Sequence, residues 1–323
     1  AGAKSPLTGG IKEANSGGIV GFRLARQGIR ALIIEEKPEN KDDLFILRIS
    51  KDATELVDAK EYKMMGTHEL VQRLFERYGE KCGISCIGPA GEMLMASAGI
   101  ANTDRDGNPS RFSGRGGLGA VMGSKGIKAI VIENDGNHKL EIKNRERYRA
   151  ALKDYINEIR NAPQTSVGYP LYGTAGIIPT ISVMGALPSY AFRKGSFEKA
   201  DEISGERLRE LILERGGEGT PTHACMPGCL VRSSNIFPDK TGKKVVASLE
   251  YETLCLCGSN LGISNLDDIA ELNYLCNDYG LDSIETGATI GLYMDLGLAD
   301  FGNAEAAKNL VKEIGKGTLL GKV

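Results

Sequence analysis

The chain has 323 residues, a formal net charge of −2 and a pI near 6.1; it is long enough for two domains of ordinary size, and its charge balance argues against nucleic acid or an anionic membrane as the main partner. No apolar run is long enough to span a bilayer. The seven cysteines are odd in number and lack the spacing of a disulfide framework, which points to a reducing, cytoplasmic setting.

From the N-terminus, Ala1-Gly2-Ala3-Lys4 has no initiator Met and reads as the interior of a longer protein. Lys4-Ser5-Pro6-Leu7-Thr8-Gly9-Gly10 and Asn15-Ser16-Gly17-Gly18 then form glycine-rich turns before a helix expected over residues 19–27. Alone they read as tight turns with a helix cap, and an anion cradle is the alternative. Apolar runs predict strands at residues 31–34, 44–49, 83–87 and 128–132. Thr67 is the expected N-cap of a helix over 67–78, with Leu70, Val71, Leu74 and Phe75 on its apolar face. Asp135-Gly136-Asn137 reads as a turn and boundary. The remainder is mostly helical, with helices expected over 145–161, 206–215, 266–279, 283–296 and 303–314. Asn265 and Gly280 cap the third of these. Residues 162–197 read as one long loop rich in glycine and proline, a type that is often functional. The expected class is α+β: a β-rich domain over 1–136 and a mainly helical domain over 137–323.

The densest signal is Gly114-Arg115-Gly116-Gly117-Leu118-Gly119-Ala120-Val121-Met122-Gly123-Ser124-Lys125. Glycine lets a ligand approach backbone amides, and arginine offers a fork suited to phosphate oxygens. Gly114, Gly116 and Gly119 satisfy G-x-G-x-x-G, and Glu133 ends the following apolar run as a ribose-binding acid would. A dinucleotide fingerprint must follow a buried strand, however, and residues 104–113 are a polar loop in sequence. A nicotinamide- or flavin-dependent enzyme is therefore the weaker reading.

Three further segments carry chemistry. His223-Ala224-Cys225-Met226-Pro227-Gly228-Cys229 places two thiols about a bend, as soft-metal ligands or as half-buried cysteines. Glu250-Tyr251-Glu252-Thr253 offers two acids at an element start, and one of them could transfer a proton if buried. Cys255 and Cys257 nearby read as packing residues. Asn277-Asp278-Tyr279-Gly280-Leu281-Asp282-Ser283 is a helix end, a glycine stop and an acidic N-cap.

Taken together and in order, these segments and Gly173-Thr174 resemble the tungsten-containing aldehyde:ferredoxin oxidoreductase family. The resemblance implies a β-rich pterin-binding domain followed by helices, with more sequence on either side. It implies two pyranopterins chelating tungsten or molybdenum, Mg²⁺ bridging their phosphates, and a [4Fe-4S] cluster. By matching motif, Asn15, Gly17, Arg115, Gly116, Gly117, Gly119, Asn277, Leu281 and Asp282 would bind the cofactor, and Glu252 would transfer protons. Asn277 stands where the family carries aspartate. Cys225 and Cys229 would be cluster ligands, but the family's first cysteine is Thr222 here. Under C-x3-C-x3-C spacing the third ligand would be Ser233, so one thiolate is missing, with His223 or Ser233 as substitutes. The implied reaction interconverts an aldehyde and a carboxylic acid, with ferredoxin or an iron–sulfur subunit as electron partner and a homodimer as an allowed assembly. A degenerate, non-catalytic subunit is the third reading.

Overall fold

The computed structural model describes residues 1–322. Three of the apolar runs that predict strands join three unpredicted short strands in a six-stranded mixed sheet, in the order Thr54–Asp58, Phe45–Ile49, Ile127–Ile132, Gly83–Cys86, Ile100–Asn102, Arg111–Ser113. Phe45–Ile49 and Ile127–Ile132 run parallel, with Ile46 opposite Ala129 and Ile49 opposite Ile132. All other pairings in this sheet are antiparallel. Gly83–Cys86 is buried at every residue, because elements cover both faces of the sheet centre.

One face packs against the helix Thr67–Tyr78 through Leu70, Val71 and Leu74, which meet Ile46, Ile84 and Val131. The opposite face takes Leu118 and Met122 of the helix Leu118–Ser124, and Val20 and Leu24 of the helix Val20–Arg26. Residues 31–34, expected as a strand, form none. Leu32 and Ile34 pack onto the core while Ile33 stays 80% exposed. Their alternation is that of a half-buried surface segment, but they pack on the face of the sheet, against Leu47, Ile49 and Ile132, away from its edges at Thr54–Asp58 and Arg111–Ser113.

The helical half contains Arg145–Asn161, Gly205–Arg215, Leu266–Tyr279, Ser283–Asp295 and Ala304–Lys316, close to expectation. Asn265 accepts from the amides of Asp267 and Asp268, and Gly280 closes the helix in the left-handed region at φ +74°. Residues 162–197 are not one loop: they carry short helical turns at Gln164–Gly168, Tyr169–Tyr172, Thr174–Ile177 and Ile178–Val183. Pro170 and Pro179 fall in the first turns of two of these, where a missing N–H is tolerated. A three-stranded sheet of Thr220–His223, Ser234–Pro238 and Lys244–Val246 was not foreseen, since its strands are short and polar. Among the described residues no helix is long and apolar enough to cross a membrane.

The sheet and the helices meet through specific contacts. Gly66, not Thr67, is the N-cap of the helix Thr67–Tyr78. The Thr67 hydroxyl instead donates to the Asn277 carbonyl at 2.9 Å. His68 stacks on Tyr274 at 4.5 Å and lies 3.2 Å from Asp278 Oδ1. Gly99 N donates to Gly280 O at 2.9 Å, and Asp282 N to Ser97 O at 2.8 Å. These bonds fix the turn at 277–282 against the end of the sheet.

Candidate functional site

The turn between Leu266–Tyr279 and Ser283–Asp295 is the frame of the site. Gly280 reverses the chain, Leu281 bridges Ala98, and Asp282 caps the next helix by accepting from Ile284 N at 2.9 Å. Asn277 and Asp282 are thereby brought to one place, each 7% exposed. Burial pushes the Asp282 carboxyl up, against the opposing pull of the Ile284 and Glu285 amides and the Arg115 charge.

This turn borders a cavity of about 420 Å³, which is also lined by Asn15, Arg111, Arg115, Glu250 and Glu252. Six residues expected at a cofactor site therefore meet there: Asn15, Arg115, Glu252, Asn277, Leu281 and Asp282. Glu252 is half exposed and pairs with Arg115 at 3.4 Å.

The other expected residues do not line this cavity. Gly116 (φ +90°) and Gly117 (φ +76°) join the two glycine-rich segments to each other. Ser5 Oγ donates to Gly116 O at 2.7 Å, and a Cβ at Gly117 would lie 2.7 Å from Pro6 Cγ. Gly119 N donates to Ala98 O at 2.9 Å, so that amide is already engaged. Gly17 lies at the cysteine loop, where a Cβ would be 3.4 Å from Cys225 Sγ.

Glu250 was legible only as one of two acids, and Arg111 was read as part of a polar loop. Both occupy the cavity floor. Glu250 accepts from Ser234 at 2.8 Å, Ser248 at 2.6 Å and Thr174 at 2.8 Å. Arg111 Nη2 donates to Ser234 Oγ at 2.7 Å. The Gly173-Thr174 motif is explained by the same carboxylate: Gly173, at φ +60°, passes close to Ser233 O, and Thr174 reaches Glu250. The sequence signal was the Glu-Tyr-Glu spacing, which says nothing about which acid turns inward.

Cys225 and Cys229 are half buried and adjacent, and burial pushes the Cys225 thiol up, helped by Cys229. The Thr222 hydroxyl donates to Pro170 O at 2.6 Å. His223 Nε2 lies 2.5 Å from Asp106 Oδ2. Among the described residues no three His, Cys, Asp or Glu side chains are grouped to hold a metal ion. Cys82, Cys86, Cys255, Cys257 and Cys276 are buried. Burial pushes the Cys82, Cys86 and Cys255 thiols up to about 12, as in unreactive packing thiols.

The Gly114–Gly119 loop lacks a nucleotide-binding setting. The strand before it, Arg111–Ser113, is short, antiparallel and at the sheet edge, and two strands separate it from Ile127–Ile132. Glu133 pairs with Arg48 at 2.6 Å. The parallel strand–helix–strand unit of a dinucleotide fold is therefore missing at this loop.

A mixed sheet joined to helices, with two interlocked glycine loops and a polar cavity at the junction, defines an α+β architecture. Residues 1–134 match the profile of the aldehyde ferredoxin oxidoreductase N-terminal domain, and residues 150–323 match that of its domains 2 and 3, so the chain belongs to the aldehyde ferredoxin oxidoreductase family. It is 37% identical over 91% of its length to the tungsten-containing aldehyde ferredoxin oxidoreductases of Pyrococcus furiosus and Thermococcus kodakarensis, covering 46% of each. It is 27% identical to the WOR-like subunit of a Pyrococcus furiosus aliphatic sulfonate oxidoreductase, over 91% of this chain and 47% of that one. The chain thus spans about half the length of these relatives. Among solved structures, the active-site complex of benzoyl coenzyme A reductase with 1,5-dienoyl-CoA shares the fold, with a TM-score of 0.76 at 21% identity over 99% of this chain and 49% of that one.

Proposed function

We propose that the whole protein is a tungsten or molybdenum bis-pyranopterin oxidoreductase that interconverts an aldehyde and its carboxylic acid. Ferredoxin or an iron–sulfur subunit is its electron partner. The observation that carries this reading is the convergence of Asn15, Arg115, Glu252 and the 277–282 turn on one cavity from segments far apart in sequence.

The residues present fit an organic, polar cofactor. The cavity holds amide, carboxylate and guanidinium groups, and one buried donor, Arg111 Nε, has no hydrogen-bond partner among the described residues. When bound, the metal–dithiolene centre supplies the two-electron redox chemistry, and the protein supplies binding and orientation. The Asn277 amide and the buried Asp282 carboxyl offer directional hydrogen bonds to the ligand. Arg115 adds a positive charge at the glycine loop, with Gly116 and Gly117 holding that loop against residues 5–12; Mg²⁺ would offset the remaining phosphate charge of the cofactor. Oxidation of an aldehyde, with water supplying the oxygen, yields acid, two protons, and two electrons that would leave to the ferredoxin or iron–sulfur partner. Glu252, half exposed beside Arg115, is placed to take one proton and pass it to solvent.

A [4Fe-4S] cluster does not fit these residues alone. This loop offers two thiols, and the Thr222 hydroxyl, at the family's first cysteine position, is engaged with Pro170.

The test is elemental and pterin analysis of the full-length protein, purified without oxygen from a host that makes the cofactor. The expected result is about one tungsten or molybdenum per chain with fluorescent pterin released on oxidation. Neither metal nor pterin would refute the reading.

A further inference from the structure

Arg111 is only 10% exposed at its side chain, yet it lines the cavity. Its guanidinium is held on one side: Nη2 donates to Ser234 Oγ at 2.7 Å, and Nη1 lies 3.6 Å from Glu250 Oε1. Glu250 is fixed in turn by Ser234, Ser248 and Thr174, which come from three separate segments. Turning the fork would break the Ser234 bond and part it from the Glu250 carboxylate. Its Nε is buried and has no partner among the described residues. A buried donor on a charged group that lacks an acceptor is costly, and such groups in folded proteins mark a missing ligand or water.

Resting on the cofactor reading above, we propose that Arg111 is a further cofactor-binding residue. The cavity-lining edge of its guanidinium donates to an acceptor atom of the bound pterin cofactor, while Glu250 and its three hydroxyl partners hold the guanidinium in place. Because Glu250 already balances the arginine charge, the acceptor favoured is a neutral ring nitrogen or carbonyl rather than a phosphate oxygen. Arg115 lies nearer solvent and is left for the anionic part.

The experiment compares wild type, Arg111→Lys and the exposed control Arg105→Lys, as full-length proteins made anaerobically with tungstate. Arg111→Lys keeps a cation beside Glu250 and removes the planar fork. Tungsten and released pterin are measured per chain, and the urea midpoint is measured on cofactor-free protein. In Arg111→Lys both contents should fall about tenfold or more, the loss of one charge-assisted hydrogen bond, well beyond what the small drop in the cofactor-free midpoint from the lost Ser234 bond accounts for. Arg105→Lys should load as wild type does. Wild-type loading in Arg111→Lys would overturn the assignment and leave the cofactor reading standing. Reduced loading with a matching fall in the cofactor-free midpoint would also overturn it, making Arg111 a purely structural residue. A wild type without metal or pterin would sink both.

Discussion

Gly119→Ala sets two effects of opposite sign against each other. Gly119 lies in the helix Leu118–Ser124, where alanine in place of glycine gains about 1 kcal/mol of helix propensity. The added Cβ, however, would lie 2.3 Å from Gly99 O and 2.8 Å from the carbonyl carbons of Ala98 and Gly99. All three neighbours are backbone, so no side chain can swing aside. Relief requires the helix and the 98–99 segment to separate by about 1 Å, and overpacking of this kind costs about 1–3 kcal/mol. Separation also strains the Gly119 N to Ala98 O bond, which contributes about 1 kcal/mol. Packing wins, and the net destabilisation is about 1–3 kcal/mol. Ala98 pairs with Leu281 and Gly99 with Gly280, so a shift of this segment disturbs the site as well. Urea unfolding followed by circular dichroism, with tungsten content in parallel, measures both effects. A variant as stable as wild type or more so would refute the close-packing argument and return Gly119 to a loop with room for a ligand.

Two further outcomes are expected. Lys128 is fully buried and pairs with Glu92 at 2.5 Å, so Lys128→Met should destabilise by about 3–5 kcal/mol by leaving that carboxylate uncompensated. The double variant with Glu92→Gln should recover most of the loss, and additive losses in urea melts would contradict an ion pair. Asp278 is pushed up by burial, but the His68 ring, its charge and its amide outweigh this and leave the carboxyl below its usual value. Its contribution is thus present above the unfolded value of about 4 and is lost as pH falls through the folded one. Asp278→Asn should flatten the fall in stability below about pH 4, and superimposable acid limbs would remove Asp278 as a contributor.

Local signals fixed a good part of this protein. Helices with a clear apolar face and side-chain caps, such as Leu266–Tyr279 behind Asn265 and before Gly280, are legible because cap chemistry and 3.6-residue periodicity are properties of the chain itself. The motifs likewise named six residues of the cavity before any coordinates. What the chain could not reveal is set by partners remote in sequence. Residues 31–34 have a strand's pattern but pack on the face of the sheet, against Leu47, Ile49 and Ile132, away from either edge. Thr67 has the chemistry of an N-cap, but its hydroxyl is drawn to Asn277, 210 residues away. Gly119 and Gly117 look like ligand-facing glycines, yet the tertiary contacts with Gly99 and Pro6 are what exclude a side chain there. Glu250 and Glu252 are equivalent in sequence, and only the arrival of Thr174, Ser234 and Ser248 makes one a hydrogen-bonded anchor and leaves the other half exposed. Residue type and spacing determine what a side chain can do, whereas desolvation and hydrogen-bond partners, which select among those options, exist only once distant segments are packed together.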